Sequence, residues 1–370
     1  MSGTDIQRKI LLICGSSQTV INFRMGLIKT LLEKDFTVSV VALDGDYKDD
    51  IVAKGVEFFC VNVQNRSLNP FGMKKLQNQY LKIIRQVQPS IVFTFMLKPN
   101  IFGVSAAKKA GVKKIFSMVE GAGDVFIKKG LKWKIIRFVV CSMYRKSFQK
   151  TNKVFFLNND DKSEFIARNL INDDKCEKIP GIGVDTEYFA YKPIKNYQTF
   201  LMIARMLKTK GIIEYCKAAR IVKQRYPEAI FNYLGEEGTI KIADIQGYID
   251  DESINYLGTT KDVRPYLEDS TALVLPSYRE GMPMSIMEAE SVGRGIITSN
   301  TIGCKDTVIE GYNGFLIECG DYKTMAEKII WCIEHPQETV HFGLNSRKFS
   351  VDKFDKDKIN EKILGVINAE

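Results

Sequence analysis

An alternation of strand-length and helix-length patterns, run through twice, restricts the fold of this 370-residue chain more than any other feature. Runs of bulky apolar residues at 10–14, 37–43, 56–61, 91–95, 114–118 and 154–157 have the length of strands, and stretches of helical periodicity such as 21–32 and 71–87 separate them. A second set starts at 198–204 and continues at 231–234, 255–257, 272–275, 295–298 and 314–317. Strands alternating with helices form a parallel sheet covered on both faces, so the expected class is α/β with two doubly wound, Rossmann-like domains. The stretch 180–196, with Gly181, Gly183 and Pro193, is the expected hinge, dividing residues 1–190 from 191–354.

Ligands of such sheets bind beyond the carboxyl ends of the strands, and two segments of the second half carry suitable chemistry there. Arg205 ends the strand 198–204, and Lys210 precedes a helical pattern opened by Gly211 and continued by Ile212, Ile213, Tyr215, Cys216 and Ala219. A helix start favours anions, and two cations at that point would complete a clamp for a diphosphate. Some seventy residues on, Gly281 and Pro283 form a turn into a helix over 285–292. Backbone amides at Gly281, Met282 and Met284 can face a sugar or phosphate, whereas Pro283 has no donor to offer. Glu280 is placed to accept hydrogen bonds from sugar hydroxyls, and Glu288, two turns along, to hold a ribose diol. Singly, these are a solvated lysine and ordinary helix-surface glutamates. Together, in this order, they describe a sugar-nucleotide site.

The patterns A-R-x-x-x-x-K-G (204–211) and E-G-x-P-x-x-x-x-E-A (280–289) resemble glycosyltransferase family 4, the retaining nucleotide-sugar transferases of the GT-B fold, whose two Rossmann-like domains face each other across a cleft. The runs YLGTTKDVRPYLEDSTALVLPSYREGMP (256–283), TSNTIGCKDTVIEGYNGFLIE (298–318), LKPNIFG (97–103) and VEGAGDVF (119–126) are similar to bacterial members that build polysaccharides or lipid-linked glycans, such as undecaprenyl-diphosphate-sugar N-acetylgalactosaminyltransferases. The resemblance implies transfer of a sugar, an N-acetylhexosamine with GalNAc favoured, from a UDP-sugar to a polyprenyl-diphosphate-linked saccharide. It implies no cofactor or metal, with Arg205 and Lys210 stabilising the leaving diphosphate and Glu280 beside them. It also implies that the last helix, within 355–370, packs back onto the first domain.

Many family members have a first-domain histidine near the sugar, but the only histidines here are His335 and His341. Glu120, in the matching stretch 119–123, is the candidate to contact the donor sugar or draw the proton from the acceptor hydroxyl. Gly15, after the first strand, is a candidate for the donor. Ser16, Arg24, Lys98 and Asn100 are candidates for the acceptor, and Lys29 is either a further one or a solvated surface residue. No carboxylate pair suits a double displacement, so a front-face reaction is expected, in which the departing phosphate oxygen helps deprotonate the incoming hydroxyl.

Charge is unevenly shared. Residues 1–190 carry 30 Lys and Arg against 18 acids, a net of +12, and the remainder 23 against 26, a net of −3. Residues 126–150 hold no acid, and Lys128, Lys129, Lys132, Trp133, Lys134 and Arg137 are candidates for contact with an anionic membrane surface. Leu131, Ile135, Phe138, Val139, Ser142 and Met143 recur near helical spacing, which would set the cations on the opposite face; a core helix with a solvated face reads the same way. Nucleic-acid binding is disfavoured because those cations alternate with apolar residues.

The first residues are polar and no uninterrupted apolar stretch has spanning length, so the expected location is cytoplasmic, peripheral on the inner face of the cytoplasmic membrane. Eight scattered cysteines with no C-x-x-C pair suit reduced thiols. Asp44 and Asp46 mimic a D-x-D metal motif, but in a doubly wound context they read as a solvated turn. Rival readings are a two-domain UDP-sugar epimerase and a non-catalytic nucleotide-sugar sensor. A dehydrogenase lacks its G-x-G-x-x-G after the first strand.

Overall fold

The computed structural model describes residues 8–61, 70–127 and 130–370. The chain forms two compact units, Met1–Ile179 with Asp357–Glu370, and Pro180–Lys356. In the first, strands β1 (Arg8–Ile13), β2 (Phe36–Ala42), β3 (Glu57–Cys60), β4 (Ile91–Phe95), β5 (Lys114–Val119), β6 (Lys153–Phe156) and β7 (Cys176–Lys178) lie in the order β3-β2-β1-β4-β5-β6-β7. In the second, β8 (Thr199–Ile203), β9 (Ile230–Leu234), β10 (Asn255–Tyr256), β11 (Ala272–Leu275), β12 (Gly295–Ser299) and β13 (Gly314–Ile317) lie in the order β10-β9-β8-β11-β12-β13. All neighbouring strands within each sheet are parallel.

Central strands read as unbroken apolar runs because helices cover both faces, and every residue of β4, β11 and β12 is indeed buried. The short β7, Cys-Glu-Lys, has no such run, since it pairs only with β6 and leaves its other edge unpaired. For that reason it was invisible to apolar periodicity. Each sheet reverses its strand order once, between β1 and β4 in the first unit and between β8 and β11 in the second. These switch points open crevices at the carboxyl ends of the strands, where ligands of doubly wound sheets bind.

The first unit ends at Ile179 rather than at 190. Residues that follow belong to the second unit because the Val184 amide donates to Phe354 O (2.8 Å), the Lys356 amide donates to Val184 O (3.0 Å), and Lys356 pairs with Asp185. The terminal helix Lys356–Ala369 then packs on the first unit. Its Asn360 amide donates to Thr30 Oγ1 (3.1 Å), and Glu361 pairs with Lys34 (3.1 Å). Five cysteines are buried, Cys14, Cys176, Cys216, Cys304 and Cys332, while Cys60 and Cys319 are exposed and all eight are free thiols. Among the described residues no helix is long and apolar enough to cross a membrane.

Candidate active site

At the switch point of the second unit, β8 leads into Arg205 and the tight turn Lys208–Lys210, and β11 leads into Glu280. The exit of β8 is tied to β9 twice: the Ala204 amide donates to Leu234 O (3.0 Å), and the buried phenol of Tyr233 donates to Ala204 O (2.6 Å). Tyr233 thus positions the residue before Arg205. A tyrosine inside an apolar strand gives no sign of that duty, and sequence reading missed it.

Arg205 is exposed and, among the described residues, makes no ion pair. Lys210 sits against Glu280, their ammonium and carboxylate paired across the crevice between the β8 and β11 exits. Seventy residues apart in sequence, these two are joined only by the fold. Glu280, read as a sugar-hydroxyl acceptor, therefore gives one oxygen to Lys210, and its own backbone amide is held by Ile302 O (2.9 Å) from the loop after β12. That loop is a second support without a sequence signal.

Past Glu280, Met282 and Pro283 are buried, and Gly281 and Met284 are partly open. Pro283 starts the helix Met284–Val292 without a side-chain cap, so its first-turn amides have no capping side chain to bond. Glu288 lies on this helix, partly covered, and burial pushes its carboxyl from the ordinary 4.5 to about 8. Glu290, two positions on and fully buried, points to another side: burial raises it well above the usual range, and Asn313 Nδ2 donates to its Oε1 (2.8 Å).

The folded chain therefore holds the Glu288 proton more tightly than the unfolded chain does. Its contribution to stability is complete below 4.5 and is lost as pH rises towards 8, at a slope of at most about 1.4 kcal/mol per pH unit. Glu288→Gln, which stays neutral, should flatten that decline and melt above the parent at pH 9. Thermal melts of both proteins from pH 5 to 9 test this, and parallel curves would refute it.

In the first unit, Gly15 is buried directly after β1, with Met96 Sδ 2.5 Å from where a Cβ would stand. Ser16 caps the helix Ser17–Phe23, its hydroxyl accepting from the Thr19 amide (3.2 Å). Asp44 Oδ1 accepts from the Ser17 amide (2.8 Å) and hydroxyl, so this aspartate braces the turn after β1. Arg24 corrects its sequence reading. Only 2% exposed, it lies over the Phe95 ring (4.3 Å from guanidinium carbon to centroid) and pairs with Glu120 at the end of β5. Burial lowers its pKa to about 10. It thus acts as a counter-charge that orients Glu120, and a bulky acceptor phosphate has no access to it.

Asn100 is likewise fully buried, its amide bonded to Thr94 Oγ1 (2.7 Å) and Met118 O (2.8 Å), which makes it a brace between β4 and β5. Lys98 is partly buried, which lowers its pKa. Lys29 is exposed and pairs with Glu33 (3.7 Å), the solvated alternative.

The helix Leu131–Phe148 differs from expectation. Its core face carries Val140, Tyr144, Ser147 and Phe148, while Leu131, Ile135, Phe138 and Val139 are exposed. The side opposite the apolar stripe is therefore core and not cationic. Lys132 and Lys134 are exposed, but Trp133 and Arg137 are partly buried, and Arg137 Nε donates to Val125 O (2.8 Å). Lys128 and Lys129 lie outside the described residues.

Two family models match the chain, "Glycosyl transferase 4-like" over residues 9–158 and "Glycosyl transferases group 1" over 184–349. The chain is 26% identical over 360 residues (94% of each chain) to the N,N'-diacetylbacillosaminyl-diphospho-undecaprenol alpha-1,3-N-acetylgalactosaminyltransferase of Campylobacter jejuni. It is 27% identical over 319 residues (81% of each) to the UDP-Gal:alpha-D-GlcNAc-diphosphoundecaprenol alpha-1,3-galactosyltransferase of Escherichia coli. Among solved structures it is similar to Anabaena HepE in complex with UDP-glucose, with a TM-score of 0.80 at 16% identity over 98% of this chain and 100% of the other. With both halves matched in order and two parallel sheets that each reverse at a single switch point, the chain belongs to glycosyltransferase family 4 and has the GT-B fold.

Proposed function

We propose that the protein transfers an N-acetylhexosamine, with GalNAc favoured, from a UDP-sugar to a polyprenyl-diphosphate-linked saccharide, with retention at the anomeric carbon, at the cytoplasmic face of a membrane. The observation that carries this reading is the Lys210–Glu280 pair at the β8/β11 switch point, with Arg205 exposed on the same crevice edge. Relatives that act on undecaprenyl-diphosphate sugars support the acceptor class, and the UDP-glucose complex of a similar fold supports the donor class.

Bond breaking at the anomeric carbon loads negative charge onto the leaving diphosphate. Fixed donors aimed at that charge are usually the largest catalytic contribution. Lys210, held by Glu280 before substrate arrives, exchanges part of that pairing for the diphosphate, and Arg205 adds a planar, permanently charged fork. The amides of Gly281 and Met284 bind donor oxygens, and Glu288 binds the ribose diol. Charge supplied in this way needs no divalent ion, so turnover should persist in the presence of a chelator. Glu120, paired with Arg24, attracts the proton of the acceptor hydroxyl. Gly15, read as a donor contact, is instead the glycine against which Met96 packs beside the turn after β1. Ser16 and Lys98 are the first-unit residues left for the acceptor.

The test is to incubate pure protein with a panel of UDP-sugars and polyprenyl-diphosphate saccharides and to weigh the products. A mass gain of one N-acetylhexosamine is expected with UDP-GalNAc. Turnover only with GDP- or ADP-sugars overturns the donor, and conversion of a UDP-sugar with no acceptor present would make the protein an epimerase.

A further inference from the structure

Four large apolar side chains stand out on the helix Leu131–Phe148: Leu131 and Phe138 are 76% and 77% exposed, Ile135 59% and Val139 48%. At 3.6 residues per turn, positions 131, 135, 138 and 139 fall on one stripe, and the core face of Val140, Tyr144 and Ser147 falls on the opposite side. Lys132 and Lys134, both exposed, flank the stripe on its two sides, and exposed Arg145 and Lys146 continue its line at the far end of the helix. No acid occurs anywhere in 126–150. A contiguous exposed apolar patch on a water-soluble surface marks an interaction site, and the cations around it state the charge of what it meets.

We propose that this stripe is a wedge that enters the surface of an anionic lipid bilayer, with Leu131, Ile135, Phe138 and Val139 in the acyl boundary and Lys132 and Lys134 at the headgroups. The proposal deepens the reading of a lipid-linked acceptor and rests on it for its purpose. A helix lying in the interface pairs an apolar face with flanking cations in this way, and each Lys or Arg near anionic lipid adds to binding. A second copy of the chain is the poorer occupant, because joining two such stripes brings four lysines together and the helix itself carries no acid to separate them.

The full chain is sedimented with vesicles of phosphatidylcholine alone and of phosphatidylcholine mixed with phosphatidylglycerol. Binding to the anionic vesicles is expected. Leu131→Ser with Phe138→Ser should lower it by about tenfold or more, and Lys132→Gln with Lys134→Gln should lower it several-fold and weaken its salt dependence. The thermal midpoint should hold in both variants, since all four side chains are exposed. Undiminished vesicle binding by the apolar variant overturns the wedge. So does a dimer that the same substitutions dissolve, with no vesicle binding.

A second pair of measurements separates the wedge from the proposed function. With the acceptor embedded in vesicles the apolar variant should lose turnover by about tenfold, and with a short-chain, water-soluble acceptor it should keep the parent rate. Vesicle binding without any use of lipid-linked acceptors leaves the wedge and removes the function. Equal turnover of parent and variant on embedded acceptor removes the wedge and leaves the function.

Discussion

Replacing Arg205 or Lys210 by alanine is expected to lower kcat by about tenfold to a hundredfold or more, because each would remove a charged hydrogen bond worth roughly 1.5–3 kcal/mol from the leaving diphosphate. The two losses should differ in kind. Arg205 is exposed and unpaired with any acid among the described residues, so Arg205→Ala should melt with the parent. Lys210 is the partner of Glu280, whose side chain is only 12% exposed, so Lys210→Ala also strands a largely covered carboxylate and should lower the melting midpoint. Adding Glu280→Gln to Lys210→Ala should restore stability without restoring turnover. Steady-state rates beside thermal melts distinguish these outcomes, and full activity in the Arg205/Lys210 double variant would sink the proposed mechanism.

Gly211→Ala should be a strongly damaging single-methyl change at the donor crevice. Gly211 has φ +77° and links the Lys208–Lys210 turn to the helix Ile212–Arg225, and a Cβ there would collide with the Pro276 carbonyl oxygen and lie 2.8 Å from Pro276 Cγ. The left-handed backbone alone costs a side chain about 1–3 kcal/mol, and the collision adds to it by pushing the β11 exit away from the β8 exit. Lower stability and weaker donor binding are therefore expected together, measured by calorimetry and by titration with UDP. Gly247→Ala provides the contrast. It lies exposed inside the helix Ile242–Asp250, meets nothing within 4 Å, and should raise stability by about 0.5–1 kcal/mol. If both substitutions shift the midpoint alike, close approach at Gly211 is not what the position requires.

Of the thirteen strands among the described residues, twelve were legible as apolar runs, most plainly β4, β11 and β12, which are covered on both faces and have no polar alternation to disguise them. The edge strand β7 was not. The second crevice was also readable in outline, since its residues occupy strand exits and helix starts, which are local features. The first unit was read less well. Arg24 and Asn100 looked like ligand contacts by type, and only burial shows them as braces.

Local chemistry thus decides the class of fold, the strand positions and the residues on the donor crevice, all of which depend on neighbours a few positions apart. Tertiary structure alone decides that Lys210 meets Glu280, that Arg24 neutralises Glu120, and that Leu131, Ile135, Phe138 and Val139 turn outward. Periodicity places side chains on a common face of a helix. Which face meets the core depends on what the rest of the chain packs against it, and here Phe126, Phe156 and Phe165 gather with Val140, Tyr144 and Phe148 and leave the other face open.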